Sequence, residues 1–98
     1  MQAKMSEKAS LLAIVRGRVQ GVYFRAFVRN RADALGLTGY VRNLHGGGSI
    51  EVRAEGEKTN LDELLNQLHI GPPRARVDRV DVEWSDYTGR FTDFDLRY

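Results

Sequence analysis

A nine-residue segment, Gly17–Arg25, constrains this chain most strongly because it joins two segments with different periodicities. The apolar run Leu11–Val15 precedes it and is typical of a buried strand, whereas apolar residues at helical spacing follow it between Phe24 and Leu35. The segment is therefore predicted to be a glycine-bracketed turn between a strand and the first turn of a helix. In such a turn several backbone N–H groups lack partners and converge at the positive end of the helix, a geometry that binds phosphate.

Arg25 is predicted to lie at the start of this helix, where its planar guanidinium can donate two hydrogen bonds to one phosphate. Two glycines with an arginine nearby are not a specific pattern, because most such segments are ordinary turns. The segment also lacks the Gly-Lys-Ser/Thr ending of a nucleotide-binding P-loop and the glycine spacing of a dinucleotide-binding loop. The residues alone leave both a simple turn and a phosphate site open.

The whole chain alternates strand and helix patterns in the order β-α-β-β-α-β, followed by a short edge strand. The predicted strands are Ala9–Arg16, Thr38–Asn43, Ser49–Glu55, Ala75–Trp84 and Phe91–Arg97, and the predicted helices are Arg25–Leu35 and Lys58–Ile70. Two split β-α-β units predict a ferredoxin-like α+β sandwich, with an antiparallel sheet and both helices on one face.

Local signals fix the ends of the two helices. Gly36 is a suitable left-handed stop for the first helix, and Gly71-Pro72-Pro73 ends the second. Thr59 or Asn60 is expected to cap the second helix, whose leucines form its buried stripe. Trp84 is expected to lie in the core.

The predicted topology brings two distant segments together. In a split β-α-β unit the first two strands are parallel, with the third strand between them, so their C-terminal ends lie at the same edge of the sheet. The first strand ends at the loop Gly17–Tyr23 and the second ends at Asn43. We therefore expect the phosphate-binding loop and Asn43 to meet, although about twenty residues separate them.

Length and composition exclude several classes of protein. A chain of 98 residues predicts one domain, with residues 1–7 as a frayed tail. The sequence has no cysteine, which excludes disulfides and thiol chemistry, and its net charge of +2 is no sign of nucleic-acid binding. It contains no signal peptide and no run of membrane-spanning length. We expect a cytoplasmic monomer that binds neither nucleic acid nor membrane.

A second segment, Gly39–Gly56, carries a resemblance to a known family. Gly17–Arg25 matches Gly-x-Val-Gln-Gly-Val-x-Phe-Arg throughout, and Gly39–Asn43 matches Gly-aromatic-Val-basic-Asn. Gly47 and Gly56 fit the glycines that follow, with Ile50 or Val52 near the valine position. With both motifs in order, the chain resembles the acylphosphatase family, whose small enzymes have a similar length and an α/β sandwich.

The resemblance implies a hydrolase that cleaves the carboxyl-phosphate bond of acyl phosphates without a metal or other cofactor. Arg25 matches the phosphate-binding arginine, and Asn43 matches the asparagine that orients the attacking water. The amide loop corresponds to Arg18, Val19, Gln20, Gly21, Val22 and Tyr23. Orthophosphate or sulfate would then bind in this loop as an inhibitor. Leu44 replaces the threonine that often follows the asparagine, and we expect the missing hydroxyl to alter product release or fine positioning without abolishing the chemistry.

Other candidate residues favour structural interpretations. His69 is expected to be a favourable cation at a helix C-terminus, and His45 to be exposed in a glycine-rich turn. Two histidines so far apart do not make a metal site. The Arg74–Arg79 segment is expected to be a solvated strand face. Asp93 and Asp95 have the residue type of glycosidase carboxylates but no supporting spacing.

Two alternatives and one contact remain open at this stage. The chain could be a ferredoxin-like module that grips RNA or a small anion, although the central strands lack the exposed aromatics of RNA binders. It could also be a module acting on carbamoyl phosphate within a larger assembly, which the absence of another domain weakens. Finally, the α-carboxylate of Tyr98 could pair with Arg25 and compete with substrate.

Overall fold

The structure, a computed structural model, describes residues 7–98 and consists of one sheet with two helices. In chain order the elements are β1 Lys8–Arg18, α1 Phe24–Ala34, β2 Thr38–Asn43, β3 Ser49–Glu57, α2 Lys58–Ile70, β4 Arg76–Asp86 and β5 Phe94–Arg97. The predicted tail over residues 1–7 lies outside the described residues except at Glu7, whose carbonyl oxygen accepts a hydrogen bond from the Lys58 N–H at 2.7 Å.

The strands are arranged in the order β4-β1-β3-β2-β5. Strand β1 pairs antiparallel with both β4 and β3, and β3 pairs antiparallel with β2. Strand β5 lies at the edge and runs parallel to β2, so the five-stranded sheet is mixed. The ferredoxin-like prediction is confirmed, and β1 and β2 are parallel with β3 between them. Their C-terminal ends therefore lie at the same edge.

The core lies between the helices and one face of the sheet. Alternate residues of β1, Leu11, Ala13 and Val15, are completely buried, as period-two strand geometry requires. The remaining buried apolar residues are Val19, Val22, Phe24, Val28, Ala32, Leu37, Val41, Ile50, Val52, Ala54, Leu61, Leu64, Leu68 and Phe94. Burial of these side chains orders the strands that lead to the shared edge.

Helix α1 ends as its sequence predicts, whereas the predicted cap of α2 is wrong. The N–H of Gly36 donates to the Asp33 carbonyl and the N–H of Leu37 to the Ala32 carbonyl, the pair of bonds of a Schellman motif. Helix α2 begins at Lys58, and its N-cap residue, Glu57, makes no side-chain capping bond. Strand β3 ends at Glu57, so the chain passes from β3 into α2 without a connecting loop.

The core assignment of Trp84 is also wrong. Trp84 pairs with Leu11 across β1 and β4, and this register gives it the helix-facing side of the sheet. However, β4 is an edge strand, and 39% of the Trp84 surface remains exposed. The Lys58 ammonium lies 4.4 Å from the centre of the indole ring, so a cation–π contact covers part of it.

A buried carboxylate holds the connection between β4 and β5 against the sheet. Glu55 is 1% exposed and accepts hydrogen bonds from the Thr88 N–H, the Thr88 hydroxyl and the Gly89 N–H at 2.8 to 3.2 Å. Burial raises the pKa of the Glu55 carboxyl, but these bonds stabilise the carboxylate and hold its pKa below the usual range. The ionised form therefore stabilises the fold.

We predict that Glu55→Gln lowers the free energy of unfolding at pH 7 by about 1–3 kcal/mol, because an amide has one accepting oxygen for three donors. A folded-state pKa below the unfolded value gives a contribution that is complete above pH of about 4.3 and is lost as the pH falls through the folded pKa. The difference between wild type and variant should therefore shrink in acid. Urea unfolding at several pH values measures it.

Glu83→Gln is the matched control, because Glu83 is exposed on β4 and its pair across the sheet, Leu12, is apolar. Its stability should follow the wild type at every pH. Equal stability of Glu55→Gln and the wild type at pH 7 would contradict the role of this carboxylate.

Candidate functional site

The chain turns from β1 into α1 within five residues, Val19–Tyr23. Val19 and Val22 are buried, at 1% and 7% exposure, and they anchor the turn to the core. Gly21 has φ of 72°, in the left-handed region that suits a residue without a β-carbon. Tyr23 also has positive φ, 62°, and is the N-cap of α1, while its side chain is 83% exposed. Left-handed backbone is costly for tyrosine and is typical of functional sites.

This turn leaves a series of backbone donors free. Within residues 7–98, no N–H group from Val19 to Ala26 donates to a protein acceptor, and the first intrahelical bond runs from the Phe27 N–H to the Tyr23 carbonyl. The free donors therefore include those of the loop and those of the first turn of α1. They lie at the positive end of the helix dipole. Such a cradle can bind an anion with a phosphate's charge and oxygen spacing.

The loop is fastened to the turn that connects β2 and β3. The Gln20 carboxamide donates both of its hydrogens, one to the Leu44 carbonyl and one to the Ser49 carbonyl, each at 2.8 Å. The Gly17 N–H donates to the Gly48 carbonyl at 3.0 Å. These bonds join the end of β1 and the loop that follows it to the turn after β2, at the edge of the sheet where both strands end. They therefore position the loop beside the end of β2.

Gly17 allows the close approach that begins this arrangement. The pairing of β1 with β4 shifts register between Arg16 and Gly17, and Gly17 has φ of 135°. A β-carbon here would lie 2.2 Å from the Arg76 carbonyl oxygen. Only glycine fits this irregularity, which redirects the end of β1 towards the loop.

Arg25 and Asn43 lie on the same cleft, whose volume is about 530 Å³. Arg25 is the second residue of α1 and Asn43 the last residue of β2. The cleft is lined by Val19, Gly21, Tyr23, Phe24, Arg25, Ala26, Asn43, Arg74, Leu96 and Tyr98. Among the described residues that line the cleft, none is an aspartate, glutamate or histidine, and the charged side chains are those of Arg25 and Arg74.

Strand β5 holds the guanidinium of Arg25. One terminal nitrogen of Arg25 donates to the Arg97 carbonyl at 2.7 Å, and the Tyr98 ring centre lies 4.7 Å from the guanidinium carbon. Tyr98 therefore lies near Arg25, as the sequence suggested. The contact is made by its ring, and within residues 7–98 no ion pair joins its α-carboxylate to Arg25.

The predicted loop residues divide into two groups. Val19, Gly21 and Tyr23 line the cleft with Arg25 and Asn43. The other three, Arg18, Gln20 and Val22, are not lining residues: Arg18 ends β1 and is exposed, Gln20 fastens the loop, and Val22 is buried. Sequence reasoning did not assign Gln20 its fastening role, because its partners are carbonyl groups that leave no signal in the sequence.

Arg74 is a lining residue that the sequence analysis did not find. The sequence predicts a solvated strand face for the whole Arg74–Arg79 segment. Two members of that segment behave in this way, since Arg76 pairs with Asp78 and Arg79 pairs with Asp81. Arg74 instead lies in the connection between α2 and β4, on the wall of the cleft.

The remaining candidates show no site. His45 is exposed, and the His69 ring nitrogen Nδ1 is 2.8 Å from the Leu65 carbonyl one turn earlier in α2. In the described part of the chain, no group of three histidine or carboxylate side chains could hold a metal ion. No helix among residues 7–98 is long and apolar enough to span a membrane.

The chain is similar, both in sequence and in structure, to members of a known family. The family model described as Acylphosphatase matches residues 11–96. The acylphosphatase of Dehalococcoides mccartyi strain 195 is 51% identical over 88 residues, which cover 90% of this chain and 97% of that protein. The crystal structure of the acylphosphatase from Bacillus subtilis superimposes with a TM-score of 0.88 at 34% identity, covering 92% of this chain and 99% of that one. An acylphosphatase from Coxiella burnetii gives 0.86 at 39% identity, covering 92% and 93%.

We predict that Gln20→Ala weakens orthophosphate binding about tenfold, because the loop loses both bonds that fix it beside Asn43. The Leu44 and Ser49 carbonyls also lose a partner, so the free energy of unfolding should fall by about 1–2 kcal/mol. Calorimetric titration with phosphate and urea unfolding measure the two effects. Gln67→Ala is the control, since it removes only an exposed bond to Glu63. Unchanged phosphate affinity in folded Gln20→Ala would refute the fastening role.

Proposed function

The chain belongs to the acylphosphatase family and hydrolyses acyl phosphates to a carboxylate and orthophosphate; we propose that Arg25 and the loop amides bind the phosphoryl group while Asn43 orients the water. The observation that carries these roles is the joint position of Arg25, Asn43 and the free N–H groups on one cleft. Among the described residues that line this cleft, no acidic side chain opposes the positive charge of Arg25, which suits a dianionic phosphoryl group.

The substrate needs little from a general acid. An acyl phosphate is a mixed anhydride, and its leaving group is a carboxylate, a weak base that departs without protonation. The reaction therefore requires a fixed phosphoryl group, neutralised charge on its oxygens and one placed water. A cleft lined without aspartate, glutamate or histidine is suited to this reaction and poorly suited to hydrolysis that needs a protonated leaving group.

In the proposed mechanism, the N–H groups from Val19 to Ala26 and the guanidinium of Arg25 surround the phosphoryl oxygens. The donors are present before substrate binds, and the charge they stabilise grows in the transition state. Arg25 retains several guanidinium hydrogens after its bond to the Arg97 carbonyl, enough for a bidentate contact.

The Asn43 carboxamide can hold a water molecule by accepting one hydrogen bond and donating another. The water oxygen attacks phosphorus, the bond between phosphorus and the acyl oxygen breaks, and the acyl group leaves as its carboxylate. The proton lost by the water passes to a phosphoryl oxygen, so the product is orthophosphate. No protein side chain has to change its protonation state.

Leu44 follows Asn43 and makes its contribution through the backbone, because its carbonyl accepts a Gln20 bond. The side chain offers no hydroxyl beside the water. We propose that the reaction proceeds without one, in the cytoplasm and without a metal ion.

The roles of the two principal residues separate in mutants. Arg25→Ala should lose both phosphate affinity and turnover, and Arg25→Lys should also fail, since an ammonium cannot reproduce the planar fork. Asn43→Ala should lower kcat by about two orders of magnitude while the inhibition constant of phosphate changes little. Steady-state kinetics with phosphate as inhibitor measure both.

Circular dichroism must first show that these variants are folded, because Asn43 lies at the end of a core strand. Near-normal kcat in folded Asn43→Ala, or normal phosphate inhibition of folded Arg25→Ala, would contradict the assignment of roles.

We also predict that hydrolysis continues unchanged in a chelator and that orthophosphate inhibits it competitively, because substrate and product occupy the same cradle. One experiment tests both: initial rates at several substrate and phosphate concentrations, with and without EDTA. A rate that falls in EDTA and returns on adding a divalent ion, or purely noncompetitive inhibition, would refute the proposed site.

A further inference from the structure

A second cleft adjoins the phosphoryl site. It has a volume of about 320 Å³ and is lined by Val22, Tyr23, Pro72, Pro73 and Arg74. Two of these residues, Tyr23 and Arg74, also line the first cleft, so the two spaces share a wall. Apart from Arg74, the lining side chains are apolar or aromatic. A substrate whose phosphoryl group lies in the first cleft can extend its carbon chain along this surface.

The segment that carries Arg74 is held in a fixed position. The Ala75 N–H donates to the Pro72 carbonyl at 3.0 Å, closing a β-turn with Pro73 and Arg74 at its centre. A β-carbon on the preceding Gly71 would lie 2.9 Å from the Phe24 ring, which shows how closely the segment packs on the first residue of α1. The backbone of Arg74 is therefore positioned relative to the phosphoryl site.

The guanidinium of Arg74 has no partner within residues 7–98. It is exposed, and no hydrogen bond, ion pair or aromatic contact is found for it in this part of the chain, whereas Arg16, Arg76 and Arg79 pair with aspartates. An unpaired arginine at the junction of two clefts, above an apolar surface, suits a ligand with an apolar chain and a negative end.

We propose that Arg74 is a specificity-determining residue that binds an anionic group at the far end of the acyl chain. The preferred substrates would be acyl phosphates of acids with a second negative charge, a carboxylate or a phosphate. Val22, Tyr23 and Pro73 contact the carbon chain between the two charges. This inference builds on the hydrolysis of acyl phosphates and adds a preference among them.

The test compares succinyl phosphate with butyryl phosphate, which have the same four-carbon chain and differ in the terminal charge. We expect the wild type to favour succinyl phosphate in kcat/KM, mainly through a lower KM, because the second charge binds in ground and transition states alike. Arg74→Gln should lower kcat/KM for succinyl phosphate about tenfold and leave butyryl phosphate within about twofold. Arg74→Glu should reverse the preference.

A matched variant controls for the loss of net charge. Arg29 is exposed on α1 and lines neither cleft, so Arg29→Gln should preserve the substrate preference. An acyl phosphate ending in a phosphonate distinguishes the two anion sources: whichever terminus depends more strongly on Arg74 identifies the preferred group.

Equal losses for both substrates in Arg74→Gln would overturn the proposal, because Arg74 would then act on the phosphoryl group. No loss for either substrate, or the same selective loss in Arg29→Gln, would also overturn it. If the wild type failed to hydrolyse butyryl phosphate, the hydrolysis of acyl phosphates itself would be contradicted. If Arg74→Gln kept the wild-type ratio of kcat/KM between the two substrates, only the role of Arg74 would be rejected.

Discussion

The proposed site depends on a turn between β1 and α1 whose backbone N–H groups stay unpaired. From the end of β1 to the first turn of α1, the N–H groups of Val19 to Ala26 find no acceptor in the described part of the chain. The surrounding structure compensates. Buried Val19 and Val22 anchor the loop to the core, and hydrogen bonds from the Gln20 carboxamide fasten it to the turn between β2 and β3. These contacts hold the loop with its donors free, so in the proposed mechanism the phosphoryl group of a substrate completes the hydrogen bonding of the loop.

Arg25 is likewise held in place before a ligand binds. A free guanidinium would lose considerable side-chain entropy on binding phosphate, but here the Arg97 carbonyl and the Tyr98 ring already hold it. Both partners are uncharged groups, so they orient the fork without neutralising it. An aspartate in the same place would pair with Arg25 and compete with substrate. The parallel pairing of β5 with β2 thus contributes to the proposed site, because it carries these partners to the cleft.

Periodic patterns in the sequence predict the secondary structure, whereas individual side-chain contacts leave no such pattern. Strand β2 and helix α2 begin and end where their patterns predict, and the meeting of the Gly17–Tyr23 loop with the end of β2 follows from topology alone. The exposure of Trp84 is not evident from the apolar pattern of β4, because such a pattern does not distinguish an edge strand from a central one. The fastening role of Gln20 and the place of Arg74 on the cleft were not predicted, for a related reason. One bonds to carbonyl groups and the other lies near the site only because Gly71 packs on Phe24, and neither relation leaves a periodic or motif signal.

The two roles proposed for the two clefts would separate the hydrolysis from the choice of substrate. Interactions with the phosphoryl group are common to every acyl phosphate, so the amides and Arg25, in the roles proposed for them, cannot distinguish one substrate from another. Discrimination must therefore come from a surface that contacts the acyl side of the substrate. The rigid turn at Pro73 supplies such a surface at low entropic cost, because its proline limits the unfolded chain as well as the folded one. An arginine presented there acts at a distance from the reacting bond. It can therefore change which substrate binds without disturbing the geometry that accelerates hydrolysis.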